Sequence, residues 1–465
     1  MHVKCVEWAR RLLGQGDAGL WLGTCPESHG WRPAHSSERH PFPRPETMTR
    51  FLVRAGLSVF VLLAASLTLT AFWSPWDEVR KGQSDGLVLA EPGRFQAVRD
   101  LGIPRLTVRL VQNDTAWAID DHFLYVSADS GRTFERRGSI PKWEPSVLDR
   151  VRNRVARHPL VRRVRENRGP SSIAVLSSGT VLLFYDRIYR SEDGGWTFEA
   201  LSRLDEQVYS PFPHGVAVDS SDRVYFGDYR TDERPHPVRV YRGTQDARVW
   251  EVCYEFPSGE TFHVHSIDHD PHSDRVLIAT GDHDEESGWY ELDPDCSGVS
   301  PVGHGDQRWR LIAPVFREEA VFWGNDDNRE GSEIFELRRG DSIPTPRQWI
   351  GKPAYHASLL SDGSMAISTT YEPQSRWSNR EQPTRTAEIW ISRRGSDWSI
   401  LDSFEWVKSQ ELWGLSRALI RLPVSDGSLP YLFASPVASE APFVTYRYRV
   451  TWVQKSDQSP WPLDH

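Results

Sequence analysis

From about residue 100 to residue 455, short apolar runs alternate with polar turns in a repeating order. Seven stretches have the form apolar strand, polar turn, apolar strand: 110–127, 171–189, 214–229, 265–282, 310–326, 356–372 and 419–436. Their middle turns are plain clusters of Ser, Asp and Gly, such as Ser177-Ser178-Gly179, Asp219-Ser220-Ser221-Asp222, Ser361-Asp362-Gly363 and Ser425-Asp426-Gly427. Such clusters between β-branched runs read as hairpins. The stretches start about 45 to 60 residues apart, near the repeat length of propeller blades.

The pattern predicts an all-β protein, a β-propeller of six or seven blades with seven favoured, over residues 100–455. Blades pack only on their neighbours, so the chain can exceed the size of an ordinary single core. The 20 Trp, 14 Tyr and 19 Phe suit many short aromatic strands. One segment breaks the β pattern. Residues 147–168 read VLDRVRNRVARHPLVRRVRENR, with Val147, Leu148, Val151 and Val155 at helical spacing and Pro159 interrupting them. It predicts a helical insertion over 143–169 whose arginines form either a solvated face or a contact with lipid headgroups or an acidic glycan. Residues 77–99 are expected to be a linker and 456–465 a tail.

Two turns carry one signature. Ser127, Asp129, Gly131 and Thr133 precede Phe134, and Ser191, Asp193, Gly195 and Thr197 precede Phe198. Both fit Ser-x-Asp-x-Gly-x-Thr-aromatic. The Asp accepts hydrogen bonds inside a tight turn, and the Gly takes a backbone angle other residues resist. Weaker versions lie at 241–250 and at Ser392-Arg393-Arg394-Gly395-Ser396-Asp397-Trp398. The signature resembles the Asp-box, or BNR repeat, of the sialidase-like β-propeller superfamily. His263-Val264-His265-Ser266, Gly281-Asp282-His283-Asp284, Trp309-Arg310 and Phe322-Trp323-Gly324-Asn325-Asp326 resemble a group of uncharacterised microbial propellers labelled as glycosyl hydrolases. The resemblance implies carbohydrate chemistry. It does not imply sialidase activity, because Gly102-Ile103-Pro104 and Ser139-Ile140-Pro141 lack the Arg of the sialidase Arg-Ile-Pro motif. Tyr371 and Glu372, adjacent on a strand, would point to opposite faces and make a poor Tyr/Glu pair.

Residues 55–73 contain no charge and follow Arg50 and Arg54. They read as a signal anchor or transmembrane helix within 48–76, or alternatively as a cleaved secretion signal. Preceding basic residues place the propeller outside the cell membrane. Residues 1–47 read as a disordered tail or lie before the true start at Met48. A net charge of −9 argues against nucleic-acid binding. Cys253 and Cys296 fall in adjacent repeats, where a disulfide and two free thiols are both open readings.

Aligned repeats place His214, His265, Arg310 and His356 at one equivalent position of the first strand. First strands line the channel of a propeller, so these side chains should converge at one mouth. The second strands end there too, at Asp228, Asp282, Asp326 and Glu372. With Trp323 for stacking, His214, His265, Arg310, His356 and Asp228 are candidates for binding a carbohydrate or cell-envelope polymer. His263 and His265 share a strand face and, with Asp282 or Asp284, form a candidate seat for a divalent metal. Asp282, Asp326 and Glu372 are candidate acid and base residues of a glycoside hydrolase or lyase. A further alternative is a non-catalytic scaffold for a cell-envelope complex.

Overall fold

The computed structural model describes residues 79–453, except 93, 121–122, 143, 145, 157–168, 202–210, 212–213, 230–235, 245, 328, 374–383, 408–416 and 440–443. The expected membrane segment 55–73 and the tails 1–47 and 456–465 lie outside the described residues. Among the described residues no helix is long and apolar enough to cross a membrane.

The described chain is a β-propeller. Four sheets have four antiparallel strands each, and each runs in chain order from an inner to an outer strand. They start with Ser172–Val175, Val216–Val218, Val264–Asp270 and Val315–Phe316. A six-stranded sheet contains Thr107–Gln112, Thr115–Ile119, Phe123–Ser127 and Thr133–Ser139, with Val79–Lys81 added outside and Val424–Ser425 paired in parallel inside. The remaining strands form one nine-stranded sheet. Hydrogen bonding thus separates five discrete blades, where the spacing predicts six or seven. The cause is Met365–Tyr371, which pairs twice. Residues 365–368 bond to the strand Thr386–Ser392, and residues 370–371 bond to Ala418–Arg421.

Burial shows why these sequences form blades. Val181–Phe184 and Val224–Gly227 are buried along their whole length, as strands covered on both faces must be. Adjacent sheets share their apolar cores. Tyr225, Val238 and Val240 of one pack with Val264, Ile267 and Ile278 of the next, and Phe322 and Ile334 pack with Ala357 and Ile367.

Within residues 77–99, expected as a linker, Val79–Lys81, Gln83–Glu91 and the start of Phe95–Pro104 are strands. Gln83–Glu91 pairs with Phe95–Pro104, which pairs antiparallel with Val444–Trp452 from Phe95↔Trp452 to Pro104↔Val444. Strands from the two ends of the described chain therefore close the ring within one sheet. The sequence hid this because Gln83–Glu91 is largely exposed and carries no repeat signature.

The signature turns are hydrogen-bonded as their chemistry predicts. Ser191 donates to Asp193 at 2.7 Å, the amides of Trp196 and Thr197 donate to Asp193 at 2.9 Å, and the Thr197 hydroxyl donates at 2.6 Å. Asp129 has equivalent partners in Ser127, Arg132 and Thr133. In the weaker turn the Asp stands five residues after the Ser rather than two. Ser392 donates to Asp397, and the Gly395 amide donates to Ser392 at 2.8 Å. Gly131 and Gly395 have φ of +78° and +79°, and a Cβ on either would strike Phe433 or Phe322.

Cys253 and Cys296 form a disulfide joining the outer strand Val249–Phe256 to the turn after Gly288–Leu292 in the following sheet. Of the helical insertion, Val147–Ala156 is described, and it is a helix with Val147, Leu148 and Val151 exposed.

Candidate functional site

The inner strands Thr107–Gln112, Ser172–Val175, Val216–Val218 and Val264–Asp270 touch in turn, as do Val315–Phe316, Ala354–Leu359, Val424–Ser425 and Thr107–Gln112. They run side by side around one axis. Each second strand returns antiparallel, so its end lies beside the start of the first. Val264 is opposite Thr280, Ala354 is opposite Thr369, and the Asp326 amide donates to the Arg310 carbonyl at 2.9 Å. This topology brings Asp282, Asp326 and Glu372 to the same end as His265 and Arg310.

Arg310 is the hub. Its Nη2 lies 2.7 Å from Oδ1 of Asp282 and 2.8 Å from Oδ2 of Asp326. A guanidinium thus stands between the two acids that sequence nominates as a catalytic pair, and a glycosidic bond could be flanked by them only if it moved. The two carboxyls differ electrically. Burial pushes Asp326 up to about 7 against the pull of Arg310, with Glu372 and Asp282 adding like charge nearby. Burial also acts on Asp282, but the hydrogen bond from His265 and the charges of His263, His265 and Arg310 hold it well below the usual carboxylate range. A shared guanidinium cannot satisfy both acids equally, and the more buried one holds its proton to higher pH.

His263 and His265 flank Asp282. Their Nε2 atoms lie 3.8 Å and 3.5 Å from its two carboxylate oxygens, and their rings are 4.7 Å apart. One ligand atom from each of these three residues falls within 4.8 Å of the others. Burial lowers His265 against the pull of the Asp282 carboxylate, which favours the neutral ring that a metal binds. Two imidazoles and a carboxylate suit a borderline divalent cation such as zinc or manganese. Asp284 is outside this group. It is exposed and bonded to Gln307 at 2.8 Å and Arg329 at 2.6 Å.

Beside Arg310 stands a trio the sequence did not reveal. The Tyr355 hydroxyl donates to Oε1 of Glu372 at 2.9 Å, and Nη1 of Arg417 lies 2.7 Å from the same oxygen. Glu372 therefore has a Tyr partner after all, across the strand rather than along it. Burial, then Asp326 and Glu372, push the Tyr355 phenol well up, so it is a hydrogen-bond donor and not an ionised nucleophile. Tyr229, 4.3 Å from the His263 ring, completes the wall. Tyr355 and Tyr229 are next to His356 and Asp228 in sequence, and that adjacency was the available signal. Arg417 lies just before a strand and had none.

Other candidates fall elsewhere. Trp323 is fully buried, donates to the Arg308 carbonyl at 2.9 Å and stacks on Trp309. It is a core residue, unavailable for stacking on a sugar. Asp228 is also fully buried and accepts from the Arg239 amide at 3.2 Å. His214 and His356 pair with each other, rings 5.9 Å apart, and neither belongs to the metal-type cluster.

No family model matches the sequence, and no curated protein matches it. Among solved structures the chain is similar to an oligogalacturonate lyase in complex with manganese (TM-score 0.49, 8% identity, 81% of this chain and 98% of that one). It is also similar to the GH74 enzyme of Niastella koreensis (TM-score 0.44, 11% identity, 70% of this chain and 47% of that one). A third is YCF48 bound to D1 peptide (TM-score 0.36, 11% identity, 64% and 94%). These neighbours are β-propeller proteins.

Proposed function

We propose that this chain is an extracytoplasmic propeller that recognises a carbohydrate or cell-envelope polymer at the Arg310 mouth. The observation that carries the reading is the convergence of His263, His265, Asp282, Arg310, Asp326, Tyr229 and Tyr355 on one end of the channel. Sugar hydroxyls need such a mixture of neutral and charged donors and acceptors. In this reading His263, His265 and Asp282 hold a divalent cation that fixes the ligand's oxygens. The Cys253–Cys296 disulfide supports an oxidising location, and residues 55–73 would anchor the chain in the membrane or direct its export. The signature turns support kinship with sialidase-like propellers, and the nine-stranded sheet is best counted as two blades joined at Thr370–Tyr371, making seven.

A second reading, a lyase or hydrolase, is favoured by one observation: Asp326 and Asp282 hold their protons at very different pH, as an acid and a base would. Elemental analysis of the purified chain followed by a glycan array, with His265→Ala and Asp282→Ala as controls, tests both. Binding without product favours recognition, and shortened glycans favour catalysis. If neither metal nor glycan is retained, and the variants behave as the native chain does, the mouth is structural and the scaffold reading takes its place.

A further inference from the structure

A second cavity lies in the channel, apart from the mouth. Its volume is about 430 Å³, and its walls come from the inner strands and the residues flanking them. Leu110, Ile173, Val216, Val315 and Leu359 make it largely aliphatic, and His214, Asp268 and Ser358 supply polar atoms. None of His263, His265, Asp282, Arg310 or Asp326 lines it.

His214 is 4% exposed, and among the described residues its Nε2 has no hydrogen-bond partner. Its neighbour His356 is equally buried, with Nδ1 also unpartnered. Oδ2 of Asp268 is in the same condition. A buried polar atom left without a partner is destabilising, and here several cluster at one cavity. All three groups are driven to their uncharged forms. Burial pulls His214 down to about 4, holds His356 well below its ordinary value and pushes Asp268 well up. This part of the wall therefore presents neutral donors and acceptors on an apolar surface. An anion would find Arg109, already engaged, at a cavity that also carries the Asp426 carboxylate.

We propose that this cavity binds an uncharged polyhydroxylated ring of mono- or disaccharide size, its hydroxyls meeting His214 and Asp268 and its apolar face meeting the aliphatic wall. The volume falls within the range of small-molecule pockets, about 300–1,000 Å³. The proposal does not rest on the mouth.

The test uses the full chain in detergent, with ¹⁵N-labelled histidine and imidazole signals assigned by single His→Gln variants. The probes are glucose, galactose, maltose and cellobiose, with galacturonate and inorganic phosphate as charged controls. At least one neutral sugar should shift the His214 and His356 signals saturably, and Val218→Phe, which fills the cavity from its wall, should remove the shift. His214→Ala, read by calorimetry, should weaken the same sugar at least tenfold if Val218→Phe does not fold. The proposal is overturned if no neutral sugar shifts these signals saturably, as for a cavity filled by water only, or if only the charged probes do. Shifts confined to His263 and His265 would support the mouth and overturn the cavity, and shifts confined to His214 and His356 would do the reverse.

Discussion

Asp282 and Asp326 share a single nitrogen of Arg310, at 2.7 and 2.8 Å. Removing that nitrogen leaves two acids facing each other in a buried mouth. Arg310→Ala should cost about 3–5 kcal/mol at neutral pH, as loss of one partner from a buried ion pair does. Part of the loss should return at lower pH, where the acids take up protons. Chemical denaturation at two pH values checks this. A loss below about 1 kcal/mol, equal at both, would show that the triad contributes little.

Asp326 also predicts a pH dependence of the native protein. In the fold its carboxyl keeps a proton to about 7, whereas the unfolded chain releases it near the ordinary value of 3.8. Between those values the folded state binds more protons, so this group makes stability fall as pH rises from about 4 to about 7 and levels off above. Asp326→Asn should lack that fall, an effect on the order of 1–4 kcal/mol across the window. The stability-against-pH curves of the two proteins decide it; superimposable curves would reject the shifted carboxyl.

Asp193 predicts the opposite sign with a different role. The hydroxyls of Ser191 and Thr197 and the Thr197 amide hold it well below the ordinary carboxylate range. Its contribution is present above the ordinary value and declines as acid protonates it. Asp193→Ala should destabilise the fold by about 1–3 kcal/mol through lost turn hydrogen bonds, with any ligand affinity unchanged once the protein is folded. Unaltered thermal stability would contradict the turn's structural role.

The disulfide spans 43 residues of sequence. Chain-entropy reasoning gives a contribution of about 4 kcal/mol for a loop of this size. Cys253→Ser, compared with the oxidised chain by denaturant melts, should lose much of that. If the reduced and oxidised chains melt together, the link is not a stabilising one.

The repeat was legible because each blade buries both faces of its inner strands, which forces apolar runs and polar turns at a regular spacing. That regularity also foretold the meeting of His265, Asp282, Arg310 and Asp326, since equivalent strand positions must converge on the axis. What escaped were contacts made across strands. Glu372 reaches Tyr355 rather than Tyr371, and Arg417 enters from just before a neighbouring strand with no periodic mark. Trp323 misled because an indole at a strand end reads alike whether it meets solvent or a second indole.

Phe95–Pro104 and Val444–Trp452 lie some 340 positions apart in sequence, yet they are adjacent strands of one sheet. A nascent chain halted before residue 444 is therefore an open arc with an unpaired edge, and the circle can be completed only once Val444–Trp452 has been made. Ribosome-arrested fragments ending near residue 440 should be degraded rapidly by added protease, while the released full chain resists it.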